Sequence, residues 1–503
     1  MKMGRTELNR HTVHSAGEVK DRFDLLIIGG GSAAFAAALE AHSMGARVGM
    51  IERGTIGGTC VNVGCIPSKA LIKAAQQYET VLKQPFDGLR FALERLDLAA
   101  LVTQKEHLVA TLRQEKYIDL LAAYDITLLS GEATFVDAHT VQVNGQLYHG
   151  ENIIIATGTR PTVPNISGLH TVDYWTSTEA LQPKRIPKHL IIVGAGYIAL
   201  ELGLMYRALG SQVTLLKRKE RLLDMLDVDI SEYVRNLLEK KGIRVLTGVH
   251  IERVEQKEHV DGHKIKVTMN VVASKENAKA SDAKETLVIE GDQLLLAAGR
   301  TPNTEHLDLA RAGVRVGARG EIIVDDTLAT SIPHIFAAGD VTLGPQFVYV
   351  AAYEGKLAAY NALRAHAMSK PLKRDLSVVP SVMFTHPQIA SVGLTEDQAR
   401  AQGLTVTTTH LPLTELAGAR VRYEADGLYK LIFDQKSLRL LGAQIIAPEA
   451  GEVIYAATLA IKFGLTHDDL VDTLAPYLTM AEGLRLAALS LKKDVRKLSC
   501  CAG

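Results

Sequence analysis

The residues with the clearest chemical potential in this 503-residue chain are four cysteines that stand as two pairs. Cys60 and Cys65 lie in Gly57-Gly-Thr-Cys60-Val-Asn-Val-Gly-Cys65-Ile-Pro-Ser-Lys69, and Cys500 and Cys501 are adjacent. Four cysteines are too few for a disulfide scaffold in a chain this long. Paired thiols in a cytoplasmic chain point instead to redox chemistry or metal capture. In a regular helix, residues five apart rise by about 7.5 Å, whereas a disulfide tolerates a Cα separation of roughly 6.8 Å at most. Pairing Cys60 with Cys65 therefore needs a distorted helix start, which Gly64 and Pro67 can provide. A helix N-terminus and Lys69 would both favour a thiolate at neutral pH. A purely structural bridge is the weaker reading, because one short loop closure stabilises little and the cytoplasm would reduce it. Cys500 and Cys501 would make a strained disulfide, but as thiolates they suit a soft metal ion.

The elements that position these residues are two βαβ units. Asp24 to Ile28 reads as a buried strand, followed by Gly29, Gly30 and Gly31, an Ala-rich helix from Ser32 to about His42, and a strand from Arg47 to Ile51 that ends at Glu52. Gly29, Gly31 and Ala34 occupy the three small positions of a dinucleotide fingerprint. Gly29 allows the tight turn, Gly31 admits a pyrophosphate to the helix N-terminus, and Glu52 can accept hydrogen bonds from ribose hydroxyls. The second unit repeats the pattern 165 residues later, with the strand Leu190–Val193, then Gly194, Gly196 and Ala199, a helix to about Leu209, and a strand Gln212–Leu216. No carboxylate ends that strand. Lys217, Arg218 and Lys219 do, and cations there can pair with a 2′-phosphate, so NADPH is expected over NADH. Two such units imply two nucleotides, of which FAD and a nicotinamide are the simplest pair.

Helices are expected from about Ser68 to Leu82 and Leu98 to Leu121, and short strands across 126–155. The charged stretch from Glu255 to Lys284 reads as a long solvated hairpin loop. From about residue 371 the pattern alternates as strands and turns helical after Glu449, which marks a third, α+β domain. Apolar residues are 47% and charged residues 22% of the chain, a folded composition. Lys plus Arg equals Asp plus Glu at 56 each, so no global field exists to hold nucleic acid or an anionic membrane. No apolar run reaches the roughly 18 residues of a membrane span. Residues 1–20 read as a polar leader without a signal core, so a cytoplasmic location is expected.

The Cys60–Lys69 box, both fingerprints, Ala156-Thr-Gly158, Ala298-Gly299-Arg300 and Gly339-Asp340 together resemble the flavin-dependent pyridine nucleotide–disulfide oxidoreductases, over nearly the whole chain after residue 20. The resemblance implies an α/β fold with two Rossmann-like dinucleotide-binding domains and a C-terminal α+β dimerisation domain. The expected division is a first FAD-binding part at 21–165, an NADPH-binding domain at 166–298, a second FAD-binding part at 299–370 and the dimerisation domain at 371–503. It further implies FAD, NADPH and a homodimer with active sites at the subunit interface. Cys65 would be the charge-transfer thiolate beside the flavin and Cys60 the exchanging thiol. Lys69 would lie near the flavin N5 and pair with Glu201, Asp340 would bind the ribityl chain, and Tyr197 would cover the nicotinamide side until NADPH arrives. Gly54, Thr59, Ala133, Gly158, Gly299 and Val348 fall where the family touches its nucleotides.

One position departs from the family. Its members carry His-Pro-Thr-x-x-Glu near the C-terminus, with the His as proton carrier in disulfide exchange. Here the segment reads Ala475-Pro-Tyr477-Leu-Thr-Met-Ala-Glu482. Tyr477 stands in the His position, and a phenol with a pKa of about 10 is a poor base at neutral pH. Cys60 with Cys65, Tyr477 and the Cys500-Cys501 tail together resemble the branch of the family that reduces mercury(II). That resemblance implies Hg2+ as substrate, arriving as thiol complexes. Cys500 and Cys501 of the partner subunit would pass it to Cys60 and Cys65. No cysteine precedes Cys60, so the N-terminal Cys-x-x-Cys module that often accompanies this branch is expected to be absent. The rival is a thioredoxin or other protein-disulfide reductase with a C-terminal cysteine pair, which would keep the His. A sequestration protein without redox work is a third reading, and the two fingerprints argue against it.

Overall fold

The computed structural model describes residues 19–92, 95–259, 262–272, 284–364 and 370–497. Most of the polar leader and the Cys500-Cys501 pair lie outside the described residues. The chain divides into two compact units, one made of 1–58, 113–159 and 302–374, the other of 59–112, 160–301 and 375–503.

The first unit is built on a mixed seven-stranded sheet. Val19–Ile28 lies at its centre, parallel to Val48–Glu52 on one side and to Gln146–Ile155 on the other. Parallel strands covered on both faces read as continuous apolar runs, and Leu25, Leu26, Ile27, Ile153, Ile154 and Ile155 are all fully buried. The central strand begins at Val19, five residues before the apolar run that marks it in the sequence. Residues 19–22 alternate between half-buried and exposed positions, so they carry little apolar signal. The helix Ser32–Ser43 covers one face and packs on Val348–Arg364. Their approach is close enough that a Cβ on Gly355 would fall 2.1 Å from the Ala33 carbonyl oxygen. Alanine and glycine are what allow it.

Among the described residues the second unit holds three sheets of three or more strands. A five-stranded parallel sheet carries the second fingerprint, in the order Ile243–Leu246, Gln212–Leu216, His189–Val193, Gln293–Leu296, Tyr174–Trp175. The redox helix Cys65–Leu82 packs its Leu71, Ile72 and Ala75 face into the same core as the second fingerprint helix, Tyr197–Ala208. A five-stranded antiparallel sheet between Ser381 and Ala447, backed by the helix Ala450–Lys462, forms the C-terminal α+β part.

The third sheet corrects the reading of the charged stretch from Glu255 to Lys284 as a loop over its described part, residues 273–283 lying outside the described residues. Val249–His259, Gly262–Val272 and Lys284–Gly291 pair as an antiparallel three-stranded sheet. Ile265, Val267 and Met269 are fully buried on one face, while Lys264 and Lys266 alternate with them. Charge on the solvent face of a one-sided sheet masks the period-two signal.

A buried ion cluster joins the start of the helix Val228–Lys240 to the C-terminal sheet of the same unit. The Lys430 ammonium, 1% exposed, lies 3.0 Å from Asp227, 2.8 Å from Asp229 and 2.6 Å from Glu396. Gln444 donates to Asp227 over 2.6 Å and accepts from its backbone N–H. Burial pulls the ammonium down, yet hydrogen bonds to Asp229, Glu396 and Asp227 hold it above the usual lysine range. Removing one partner of a buried pair strands the others. Lys430→Met should therefore cost about 3 kcal/mol of stability, read by chemical denaturation.

Candidate active site

The redox box folds as two consecutive helical segments, Gly58–Val63 and Cys65–Leu82. They are broken at Gly64, where φ is −128° and ψ −112°. A Cβ at Gly64 would meet the Thr59 carbonyl oxygen at 2.8 Å and the Cys60 Cα at 3.3 Å, so the turn closes only around glycine. This is the distortion that the five-residue spacing demands. It brings two free thiols into hydrogen-bond contact. The Cys60 S–H donates to Cys65. That bond, helped by the Lys69 charge and opposed by desolvation, pulls the Cys65 thiol down to about 7. The same bond and burial push the Cys60 thiol far up. Cys65 is therefore the thiol of the pair that ionises around neutral pH, while Cys60 keeps its proton.

Lys69, one turn beyond Cys65, is held 2.7 Å from the buried carboxylate of Glu201. Glu201 also accepts the Phe384 backbone N–H at 2.9 Å. The Lys69 ammonium stands 4.9 Å from the centre of the Phe384 ring. Cys60, Cys65, Lys69 and Glu201 therefore form one constellation.

The two fingerprint turns are near copies. Gly29 has φ +120° and Gly194 φ +126°. A Cβ on either would fall within 2.3 Å of a neighbouring carbonyl oxygen, that of Ala156 or Ala297. Gly31 (φ −96°, ψ −165°) and Gly196 (φ −96°, ψ −164°) each begin a helix that no side chain caps, which leaves the first N–H groups for phosphate. Ala34 and Ala199 are fully buried, as tight helix–sheet packing requires.

Beside the first turn lies an open cleft lined by Gly29, Glu52, Ala133, Thr157, Asn303 and His306. The Glu52 carboxylate accepts the Gly54 N–H at 2.7 Å. Thr157 Oγ1 is buried without a protein partner. An orphaned hydroxyl, a strand-end carboxylate and an uncapped helix together fit a bound dinucleotide. Asp340, on the turn Gly339–Thr342, accepts from the Thr159 hydroxyl at 3.1 Å. Behind it the Gly339 N–H donates to Glu354 at 2.8 Å, and burial raises that carboxyl. Sequence reasoning missed Thr157, Asn303, Thr159 and Glu354. Only Thr157, inside the Ala156-Thr-Gly158 motif, carried a signal. Gly158 and Gly299 both have positive φ with open space where a Cβ would be. Thr59 is exposed beside Cys60, and Val348 opens the helix after the Asp340 turn.

At the second turn, Lys217 pairs with Asp224 at 3.1 Å, and Lys219 pairs with the same carboxylate, whose pKa falls to about 2. Arg218 is exposed between them. Tyr197 is the first residue of its helix, and burial raises its phenol. Tyr477 lies half-exposed in the turn between the helices His467–Asp472 and Glu482–Leu489. Glu482 accepts the Leu478 N–H at 3.3 Å.

Residues 23–355 match the family model for pyridine nucleotide-disulphide oxidoreductases, and 379–488 match the dimerisation domain of that family. The chain is similar to a mercuric reductase from Lysinibacillus sphaericus, 52% identical over 96% of this chain and 85% of that protein. A mercuric reductase from Staphylococcus aureus is 50% identical over 96% and 84%, and one from Streptomyces lividans 44% over 96% and 98%. Among solved structures, the Cu(II) complex of a HOCl-induced flavoprotein disulfide reductase from Escherichia coli aligns with a TM-score of 0.79 at 31% identity, covering 94% of this chain and all of that one. No helix among the described residues is long and apolar enough to cross a membrane.

The thiol pair sets a pH profile. Alkylation of the reduced protein at Cys65 should rise with pH through a midpoint near 7, because the depressed thiol is ionised above it. Cys60→Ala removes the donated hydrogen bond and Lys69→Met removes the nearby charge. Each should move the midpoint up toward the ordinary thiol value, with Cys60→Ala moving it further.

Proposed function

The chain belongs to the pyridine nucleotide-disulphide oxidoreductases, and on that premise we infer that it is a mercury(II) reductase that oxidises NADPH and releases Hg0. The net reaction is NADPH + Hg2+ → NADP+ + H+ + Hg0. The observation that carries this reading is the thiol–thiolate pair of Cys60 and Cys65, in a chain whose half-identical relatives are mercuric reductases.

The pair suits a soft cation. Cys65 offers a thiolate ligand at neutral pH without needing a base. Cys60 gives up its proton as its sulfur binds, since the metal replaces the hydrogen bond that held that proton. Lys69 sustains the Cys65 charge, and Glu201 holds Lys69 in place.

The flavin is FAD, seated by Gly29, Gly31 and Ala34, with Glu52 at a ribose, Thr157 in the cleft and Asp340 toward the ribityl chain. When bound, FAD supplies two-electron transfer from the nicotinamide to thiol-held metal. Gly194, Gly196 and Ala199 seat NADPH, and Tyr197 covers the nicotinamide position until it arrives. Lys217 is already committed to Asp224, so Arg218 is the cation with the freer reach to a 2′-phosphate. The protein acts in the cytoplasm as a homodimer. Hg2+ arrives there as thiol complexes, which Cys500 and Cys501 accept and pass to the inner pair of the partner subunit.

NADPH oxidation with Hg2+, compared with thioredoxin disulfide as acceptor, tests this function directly. Hg2+-dependent turnover is expected, and turnover with the disulfide alone would overturn the reading. Cys65→Ala should abolish Hg2+ reduction together with any thiolate–flavin charge-transfer absorbance, whereas Cys60→Ala should abolish reduction and keep the Cys65 sulfur, whose thiolate then forms only at the raised midpoint. Arg218→Ala should raise the KM for NADPH by about tenfold or more, the worth of one charge-assisted hydrogen bond, and leave the KM for NADH in place. Deleting Cys500 and Cys501 should slow turnover of Hg2+ presented by a bulky dithiol and spare flavin reduction by NADPH.

A further inference from the structure

The turn that carries Asp340 is held from behind by a buried carboxylate. Gly339 opens that turn with φ +77°, and a Cβ there would meet the Ala351 and Ala33 Cβ atoms at 3.1 and 3.3 Å. Glu354, on the helix Val348–Arg364, is 1% exposed. Its Oε2 accepts the Gly339 N–H at 2.8 Å, and its Oε1 accepts from the Arg374 guanidinium at 3.1 Å. The Gly339 carbonyl in turn accepts the Thr342 hydroxyl at 3.0 Å. Side chains thus hold the turn on both sides of Gly339. Asp340 leaves it in a set direction, with its Oδ2 3.1 Å from the Thr159 hydroxyl.

Arg374 is itself fixed. Its backbone N–H donates to the Asp326 carbonyl at 2.8 Å. Two residues earlier, Leu372 donates its N–H to the Asn361 side chain at 2.9 Å and accepts from it at 2.8 Å. Asn361 also donates to the Thr327 carbonyl at 2.9 Å. Asn361 and Glu354 lie two turns apart on one face of the helix. Residues 372–374 therefore run across that helix as a strap, stitched down at both points.

Packing alone does not ask for an acid at position 354. Burial pushes its carboxyl up, and the Gly339 N–H and Arg374 work against that push. An apolar side chain of similar volume would avoid the desolvation cost. What the charge adds is a firmer grip, since an ionised acceptor holds an N–H about twice as strongly as a neutral one. The group so gripped is the peptide that aims Asp340.

We propose that Glu354 and Arg374 are positioning residues for the flavin: their ion pair fixes the Gly339–Asp340 turn and so slows the loss of FAD. The inference rests on the reading of Asp340 as the residue that holds the ribityl chain. Both residues act through the turn rather than by touching the cofactor.

The test is the rate of FAD release from the loaded protein, followed by the rise in free flavin fluorescence after dilution. Asp340→Ala should speed release by about tenfold or more, the worth of one hydrogen bond to a charged group. Glu354→Leu should speed it by up to the same factor, and Arg374→Met should do so more weakly. Glu354→Gln, which keeps an acceptor for the Gly339 N–H, should restore most of the retention that Glu354→Leu loses. In an Asp340→Ala background, Glu354→Leu should add nothing further. Release at the original rate in Glu354→Leu overturns the proposal, and so do effects of Asp340→Ala and Glu354→Leu that multiply in full, because a support that acts elsewhere in the fold would be independent of Asp340. Should Glu354→Leu fail to fold, Arg374→Met alone and with Asp340→Ala decides by the same criteria. If Asp340→Ala speeds release while Glu354→Leu and Arg374→Met do not, only the proposal is wrong. If Asp340→Ala leaves release unchanged, Asp340 does not hold the flavin and the underlying reading falls with the proposal.

Discussion

The structure depends on a backbone constraint at the carboxyl end of a buried parallel strand. There the chain must reverse sharply, pass close to a neighbouring strand's carbonyl and present an uncapped helix N-terminus, all within three residues. Only glycine meets the first two demands, because φ near +120° is strained for an L-residue and a Cβ would overlap the facing oxygen. The third demand explains why no Ser, Thr or Asp caps either helix: a side-chain cap would occupy the N–H groups that phosphate needs. The chain meets this constraint twice, with backbone angles that agree within a few degrees at both turns. The two units differ at the far end of each βαβ unit, where one has Glu52 and the other has Lys217 and Arg218.

A second break in regular structure makes the thiol chemistry. Without Gly64, residues 60 and 65 would sit too far apart along one helix to share a hydrogen. With it, one proton lies between two sulfurs, and its position on Cys60 makes Cys65 anionic. Burial alone would push both thiols up. The asymmetry therefore comes from the hydrogen bond first and from Lys69 second. Lys69 can serve only because Glu201 anchors it, and Glu201 tolerates burial only because it takes both that ammonium and the Phe384 N–H.

What the sequence made legible follows from range. Gly29, Gly31, Ala34 and their repeats, and the Cys60–Lys69 box, are short-range patterns whose spacing carries the geometry. The Lys69–Glu201 contact spans 132 residues, and nothing local announces it; it was named only because the chain resembles a family. Thr157, Asn303 and Glu354 gain their meaning from strands and turns that meet in three dimensions. The competition of Asp224 for Lys217 was equally hidden, although only seven residues separate them, because the loop that folds back has no periodicity to read. The charged stretch after Glu255 misled for a different reason: its lysines alternate with core residues on a sheet that has only one buried face.

The tyrosine at position 477 follows from the same proton accounting. In dithiol–disulfide exchange the substrate leaves as a thiolate that must be protonated, and the attacking thiol must first lose a proton, so a base with a pKa near neutrality is needed close by. A metal ion that binds sulfur changes that requirement. In the proposed reaction, coordination itself would expel the Cys60 proton, and the departing product would be an atom that needs no proton. Cys65, with its thiol at about 7, is largely ready before substrate arrives. A histidine at 477 would supply a base for a step that this reaction does not use. A half-exposed phenol keeps the polar surface of the turn, where no such base is required.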